Sequence, residues 1–355
     1  RKAKSSTHGY FSKTMTFVTT TSTAGDTDVA TTLTVGSTTG MTANMVLHNK
    51  RTRENVRVVS ILSSTTVVVT RAFGRVAAAA MNAADLLIQI GTAFEEGSLR
   101  PGARRLATVY VGNYTQIFRN AWGLTDTARA SMSEMGYSNV AEDRKDCVLF
   151  HSVDMESAVM FGQAKMDTTG PQPLHSTQGV IDSIYQYAPG NVNPASSTTD
   201  YGDLVALVEE PFNYSTDVGN NGERIGFCDR LAMKVLTDVG RKSGQIQIMQ
   251  NETSFGMKFT SFKFYQGTIN MIQHPLMNGL DPTGGNMLIV DMAAIKLAYM
   301  EGRDAVPEEY GTNGKQVELG TDGVGGSMTS EFAVENINPF SCGYVTGLTS
   351  GIAET

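Results

Sequence analysis

Between Asp28 and Gly91 the chain consists of short β-branched runs broken by turn residues, and that spacing restricts the segment to a small all-β unit. The runs are TTLTV (31–35), NMVLHN (44–49), ENVRVVSI (54–61), TTVVVT (65–70) and DLLIQI (85–90). Val, Ile and Thr crowd a helix at χ1 but sit well on a pleated strand. Strands this short and this regularly spaced predict a small barrel or sandwich. In ENVRVVSI the alternation places Val56, Val58 and Ser60 on one face and Arg57, Val59 and Ile61 on the other. A module of about 65 residues stands near the lower limit of what folds unaided.

A second constraint is a long helix predicted over 139–165. Asn139 suits an N-cap, Glu142 is placed to return the capping-box bond, and the acids of AEDRKD fall where the helix dipole favours them. Val148, Ser152, Met155, Val159 and Gly162 share one stripe, flanked by Leu149, Val153 and Met160. About 25 residues make a rod of roughly 37 Å.

The remaining segments mix both periods, so the class is α+β. TARASMSEMG predicts a short helix ended by Gly136. Residues 92–120 carry a polar, arginine-bearing turn at Pro101 and Gly102, then a strand-like run from Ala107 to Phe118 suited to an extended hairpin. DYGDLVALVEE predicts a helix stopped by Pro211, RIGFC a strand, and DRLAMKVLTDVG a helix closed by Gly240. FTSFKFYQGTINMIQHPLM alternates, and MLIVDMAAIKLAYM holds a buried strand. KQVELGT and MTSEFAVENI face each other across DGVGGS, a glycine-rich turn, and SCGYVTGL is a last strand.

Residues 1–25 hold Arg1, Lys2, Lys4 and Lys13 and no acid, the first carboxylate being Asp26. With little hydrophobic periodicity, this segment is expected to take shape only against something else. It reads either as a solvated arm or as one lying on an acidic surface such as a neighbouring subunit.

Chemistry is sparse. Hydrolase elbows, zinc spacings and phosphate loops do not occur, and Gly320, Gly323, Gly325 and Gly326 read as a turn because no helix follows them. His151, Asp154 and Glu156 are spaced so that Glu156 lies well round the helix from the other two, which favours a polar face over metal ligation. His8, His48, His175 and His274 have no Cys or acid nearby in sequence, and Cys147, Cys228 and Cys342 read as buried thiols rather than a disulfide framework. The 18 methionines fill core gaps or adaptable contacts. A net charge of −7 gives no surplus of Lys and Arg to grip phosphates. No apolar run reaches membrane-spanning length and no signal peptide opens the chain, so a soluble protein made in the cytoplasm is expected. Neither an enzyme, a cofactor nor a metal is expected.

FEEGSLRPGARR, NYTQIFRNAWGLTDTA, AEDRKDCVLFHSVDMESAVMFGQ and STQGVIDSI, in that order, resemble the major capsid proteins of tailed bacteriophages with the Hong Kong 97-like fold. The resemblance implies an N-terminal arm (1–27), an inserted β domain (28–91), an extended loop (92–120), a peripheral domain (121–185) with its spine helix at 139–165, an axial domain (186–314) and returning peripheral strands (315–355). It implies a self-assembling subunit that forms hexamers and pentamers of an icosahedral or prolate head. That head would enclose double-stranded DNA without sequence specificity, assemble in the bacterial host cytoplasm, and meet a portal and scaffold or decoration proteins. Arg1, Lys2, Lys4, Lys13, Arg100, Arg104, Arg105, Glu142, Asp143, Asp154 and Glu156 are the expected subunit contacts. The alternative is another virion structural protein, such as a tail, decoration or adhesion subunit.

Overall fold

The computed structural model describes residues 2–12, 18–99, 109–130, 139–195, 199–214, 222–243, 253–254, 257–258, 260–280, 284–311 and 323–349. Arg1, Lys13, Arg100, Arg104, Arg105, Gly136 and the KQVELGT segment lie outside them. The chain divides into two compact units, Lys13–Val109 and a body made of Arg1–Ser12 with Tyr110–Thr355.

The body begins with two short strands, β1 (Lys2–Ala3) and β2 (Thr7–Ser12), after which the chain enters the first unit. There β3 (Thr19–Thr21), β4 (Thr32–Thr34), β5 (Met45–Asn49), β6 (Asn55–Ile61), β7 (Thr66–Thr70) and β8 (Leu86–Thr92) pair in the order β3-β8-β5-β6-β7-β4. The two outer strands then meet: the Thr23 amide donates to the Thr34 carbonyl at 3.0 Å and the Gly36 amide to the Thr21 carbonyl at 2.9 Å. The sheet is therefore a closed barrel, which removes the free edges a six-stranded sheet would expose. It starts earlier than the sequence suggests, because Val18 and Thr19–Thr21, assigned above to the arm, supply core and wall.

Inside lie Leu33, Met45, Leu47, Val56, Val58, Val67 and Leu87, all fully buried. The alternation of ENVRVVSI holds to Val58, after which a bulge between Val58 and Ser60 shifts the register. Two carboxylates tie the long 71–85 connection to the wall. Glu54, fully buried, accepts Arg71 Nε at 2.9 Å and Nη2 at 2.8 Å, together with the Ala72 amide at 2.9 Å. Asp85 accepts Arg51 Nε at 2.6 Å and Nη2 at 2.7 Å.

The body continues with β9 (Val109–Tyr114), β10 (Gln116–Thr125), α1 (Asp126–Ala130), α2 (Asn139–Phe161), β11 (Lys165–Asp167), β12 (Leu174–Ser176), α3 (Val180–Tyr187) and β13 (Val192–Pro194). It proceeds through α4 (Tyr201–Val208), β14 (Glu223–Cys228), α5 (Arg230–Ser243), β15 (Thr253–Ser254), β16 (Met257–Lys258), β17 (Thr260–Lys263), β18 (Thr268–Gln273) and α6 (Pro275–Leu280). It closes with β19 (Met287–Val290), β20 (Ile295–Met300), β21 (Val306–Tyr310), β22 (Gly323–Asn336) and β23 (Gly343–Thr346).

Two sheets organise it. One runs β1-β20-β22-β10, with β21 sharing the β20 side of the long β22, and α2 packs on it through Met155, Ala158 and Val159 against Phe118, Phe332 and Val334. The other runs β13-β23-β19-β14-β18-β17. Its β19 is buried on both faces. Met287 and Ile289 meet α4 and α5, while Leu288 and Val290 meet α3, α6 and the end of α2. That explains the unbroken apolar run MLIV.

Several expectations are corrected. The run Ala107–Phe118 is not one outlying strand: it breaks at buried Thr115, β9 pairing with β2 and β10 with β22. β20 and β21, assigned above to the axial domain, pair with β22, whereas β23 joins the other sheet. DGVGGS is not a hairpin turn, since Gly323 opens β22. The glycines serve close approach instead: a Cβ on Gly326 would stand 2.5 Å from the Glu308 carbonyl and 2.8 Å from Trp122 Nε1. α5 runs through Gly240 to Ser243, because Val235, Leu236 and Val239 hold it on the core and one helical glycine costs only about 1 kcal/mol. α2 ends at Phe161, four residues short of Lys165. There Gly162 and Gly179 cross so tightly that a Cβ on Gly162 would lie 2.5 Å from the Thr177 carbonyl.

Candidate intersubunit surfaces

The inner stripe of α2 is displaced from the expected one. Cys147 and His151 are buried where Val148 and Ser152 were expected, because His151 is bonded into the sheet. Its Nδ1 lies 2.8 Å from Asn120 Oδ1 and its Nε2 2.8 Å from Ser330 Oγ. Asn120 spends its amide on Asp154 at 2.9 Å, so its oxygen faces His151 and Nδ1 carries the proton. Ser330 Oγ accepts from the Ala305 amide at 3.1 Å and donates to Nε2. Burial, partly offset by Asp154, pushes the His151 imidazole below its ordinary range and keeps it neutral.

With that face turned inward, α2 presents Val148, Leu149, Phe150 and Val153 outward, Leu149 at 60% and Phe150 at 61% exposure. Charged residues flank this apolar stretch. Glu142 pairs with Lys145 at 3.4 Å, Asp143 is half-buried, Asp154 accepts from Asn120, and Glu156 pairs with His274 at 2.8 Å. Of the four acids expected to meet a neighbour, Glu142, Asp154 and Glu156 are thus engaged within the chain. His274 gains an acid that its sequence surroundings do not reveal.

The arm is a second correction. Residues 2–12 take shape on their own body: β1 adds a parallel strand beside β20, Lys2 pairs with Glu301 at 2.7 Å, and the Thr115 amide donates to the Ser6 carbonyl. His8 reaches Glu335, and the Tyr10 hydroxyl donates to the Asn336 carbonyl. Strand alternation explains this, since His8 and Tyr10 turn inward while Phe11 turns out, 72% exposed against Tyr110. Burial first, then Tyr187 and Glu335, push the Tyr10 hydroxyl far above its ordinary range, so it remains a donor. Lys4 is exposed. Phe94 and Leu99 are exposed on the stretch leading toward RPGARR, Leu99 at 92%.

The outward apolar residues Phe11, Leu99, Leu149 and Phe150 were missed by a search for charge. A helical wheel referred to His151 rather than to Val148 would have marked Leu149 and Phe150. Among the described residues no group of three or more His, Cys, Asp or Glu is placed to hold a metal. No described helix is long and apolar enough to cross a membrane.

Comparison with known proteins places the chain among the major capsid proteins of phages. It belongs to the SU10 major capsid protein family, whose family model matches residues 1–349. It is 47% identical over 357 residues to the major capsid protein of Pseudomonas phage PaMx41, covering 98% of this chain and 85% of that relative. Among solved structures, the cyanophage Pam1 capsid is similar at 10% identity and TM-score 0.42, over 74% of this chain and 83% of that one. The structure titled Mycobacterium phage Adephagia is similar at 11% identity and TM-score 0.41, over 89% and 88%. The family bears out the resemblance to phage major capsid proteins, and the mixture of helices and strands described above is the α+β class expected. The chain is a structural protein of the virion that acts as a homo-oligomer.

Proposed function

We propose that the chain assembles as hexamers and pentamers into a closed icosahedral or prolate head around double-stranded DNA. The family match over residues 1–349 carries this reading. The outward Phe11, Leu149 and Phe150 support it, because apolar side chains so exposed on a single chain are covered when copies pack. Permanent assemblies bury about 2,000–5,000 Å² per interface.

In this reading the spine helix is α2, the barrel is an insertion, the loop that reaches a neighbour lies within 92–108, and the sheet holding β10 and β22 forms the peripheral domain. The axial domain is the sheet holding β14 and β18. The net charge of −7 lets the shell hold DNA without clamping it. The subunit's role is structural and it catalyses no reaction. Portal, scaffold and decoration proteins are its further partners, and assembly takes place in the host cytoplasm.

The test is charge reversal of Arg100, Arg104 and Arg105 to Glu. The triple variant should yield folded subunits, judged by circular dichroism, and few closed particles by electron microscopy. Normal particle yield from this variant would remove the loop from the proposed contacts.

A further inference from the structure

The arm strand β2, the end of β22 and helix α3 enclose a small cleft, lined in part by Gly9, Tyr10, Val111, Ser183, Tyr187 and Asn336. It offers the centre of a water molecule about 10 Å³ of room. That is near the least that holds one, about 10–15 Å³. Asn336 is 6% exposed, and among the described residues no hydrogen-bond partner reaches its Oδ1. We propose that the cleft binds a single water molecule, which donates to Asn336 Oδ1 and bridges it to Tyr10 on the arm.

The hydrogen bonds around Asn336 fix which end of its amide faces the cleft. Ser183 Oγ has one proton and gives it to the Val180 carbonyl at 2.7 Å, so toward Asn336 it can only accept. The amide nitrogen Nδ2 therefore points at Ser183, at 2.8 Å, and Oδ1 is turned away from it. Exchanging the two ends would set oxygen against oxygen with no proton between them.

The side-chain donors around the cleft are engaged elsewhere. The Tyr10 hydroxyl donates to the Asn336 carbonyl. Asn113 gives its amide hydrogens to the Val334 carbonyl at 2.7 Å and to Thr177 Oγ1 at 3.0 Å. Gln178 gives its own to Asp182 and Gln186, and His8 Nε2 meets Glu335. Tyr187 lines the cleft without bonding to Oδ1. A buried acceptor with no donor carries the full cost of its lost hydration, and a water held in contact removes that cost. Tyr10 Oη, having given its proton away, keeps lone pairs for the water's second hydrogen. The bridge thus joins residues from the two ends of the chain and adds to the seat of the arm. It lies within one subunit and does not depend on the shell reading.

A density map of the full chain clear enough to show ordered water decides the matter, whether from assembled particles or from crystals of the unassembled subunit. A peak is expected about 2.5–3.0 Å from Asn336 Oδ1, and Asn336→Leu, which removes the acceptor, should remove the peak. An empty cleft in a wild-type map that shows other buried water overturns the site. So does the Tyr187 hydroxyl seated on Oδ1, or a peak that persists in Asn336→Leu. In solution, hydrogen exchange of the arm peptide in the purified full chain reads the bridge. Asn336→Leu should lower its protection about fivefold more than Ser183→Ala, which removes only the partner of Nδ2; fivefold is the equivalent of one hydrogen bond. Equal losses in the two variants overturn the bridge. Should Asn336→Leu fail to fold, the wild-type map decides alone.

Discussion

Replacing Arg71 with methionine should destabilise the barrel by about 3–5 kcal/mol, the cost of stripping a buried carboxylate of its counter-charge. The Arg71 side chain is only 6% exposed, donates twice to Glu54, and sends further hydrogen bonds to the Thr27 carbonyl at 2.8 Å and the Ala79 carbonyl at 2.6 Å. Burial alone would raise the Glu54 carboxyl, but Arg71 and the Ala72 and Ala79 amides outweigh it and hold the group below its usual range. In the wild type the pair's contribution is therefore present above the unfolded value, about pH 4.3, and is lost as pH falls below it. In Arg71→Met the balance reverses: burial favours the protonated acid, so the variant gains stability on acidification. Urea titrations of both proteins between pH 3.5 and 7.5, followed by circular dichroism, should give opposite slopes for the barrel transition. A loss under about 1 kcal/mol, or parallel slopes, would refute the claim that Glu54 is a desolvated anion held by Arg71.

Three further outcomes follow from the same geometry. Gly326→Ala, which drives a methyl against Trp122 and the Glu308 carbonyl, should cost about 1–3 kcal/mol in urea unfolding of the body. His151→Phe should cost about 1–3 kcal/mol by leaving Asn120 and Ser330 short of a partner; it should also remove the part of the acid destabilisation that begins below about pH 6.5, where the lowered imidazole of the folded chain resists protonation. Cys147, Cys228 and Cys342 are buried, and desolvation raises all three thiols, Cys342 to about 11, so the native chain should resist a thiol-reactive dye that labels all three in urea.

The sequence made the barrel legible because its strands are β-branched and its turns polar, so local preference and tertiary role agree. It made α2 legible by length and acid placement, but not by face. The inward stripe is set by His151 meeting Asn120 and Ser330, partners 31 and 179 residues away, which no local pattern reveals. The glycines of β22 misled for a related reason: they read as a turn until Trp122 and Glu308 are brought against them. Charge marked the arm correctly as unusual, yet its docking depends on Glu335 and Asn336 at the far end of the chain. Neither the outward apolar residues of α2 nor Phe11 carry a motif, and they become visible only once the inward faces are known.

Electron cryomicroscopy of the particles formed when this chain is produced alone or with its phage partners tests the account most directly. The expected result is closed shells in which α2 and the stretch around Leu99 are covered by neighbouring copies. A protein that stays monomeric under both conditions, with Leu149 and Phe150 still facing solvent, would contradict it.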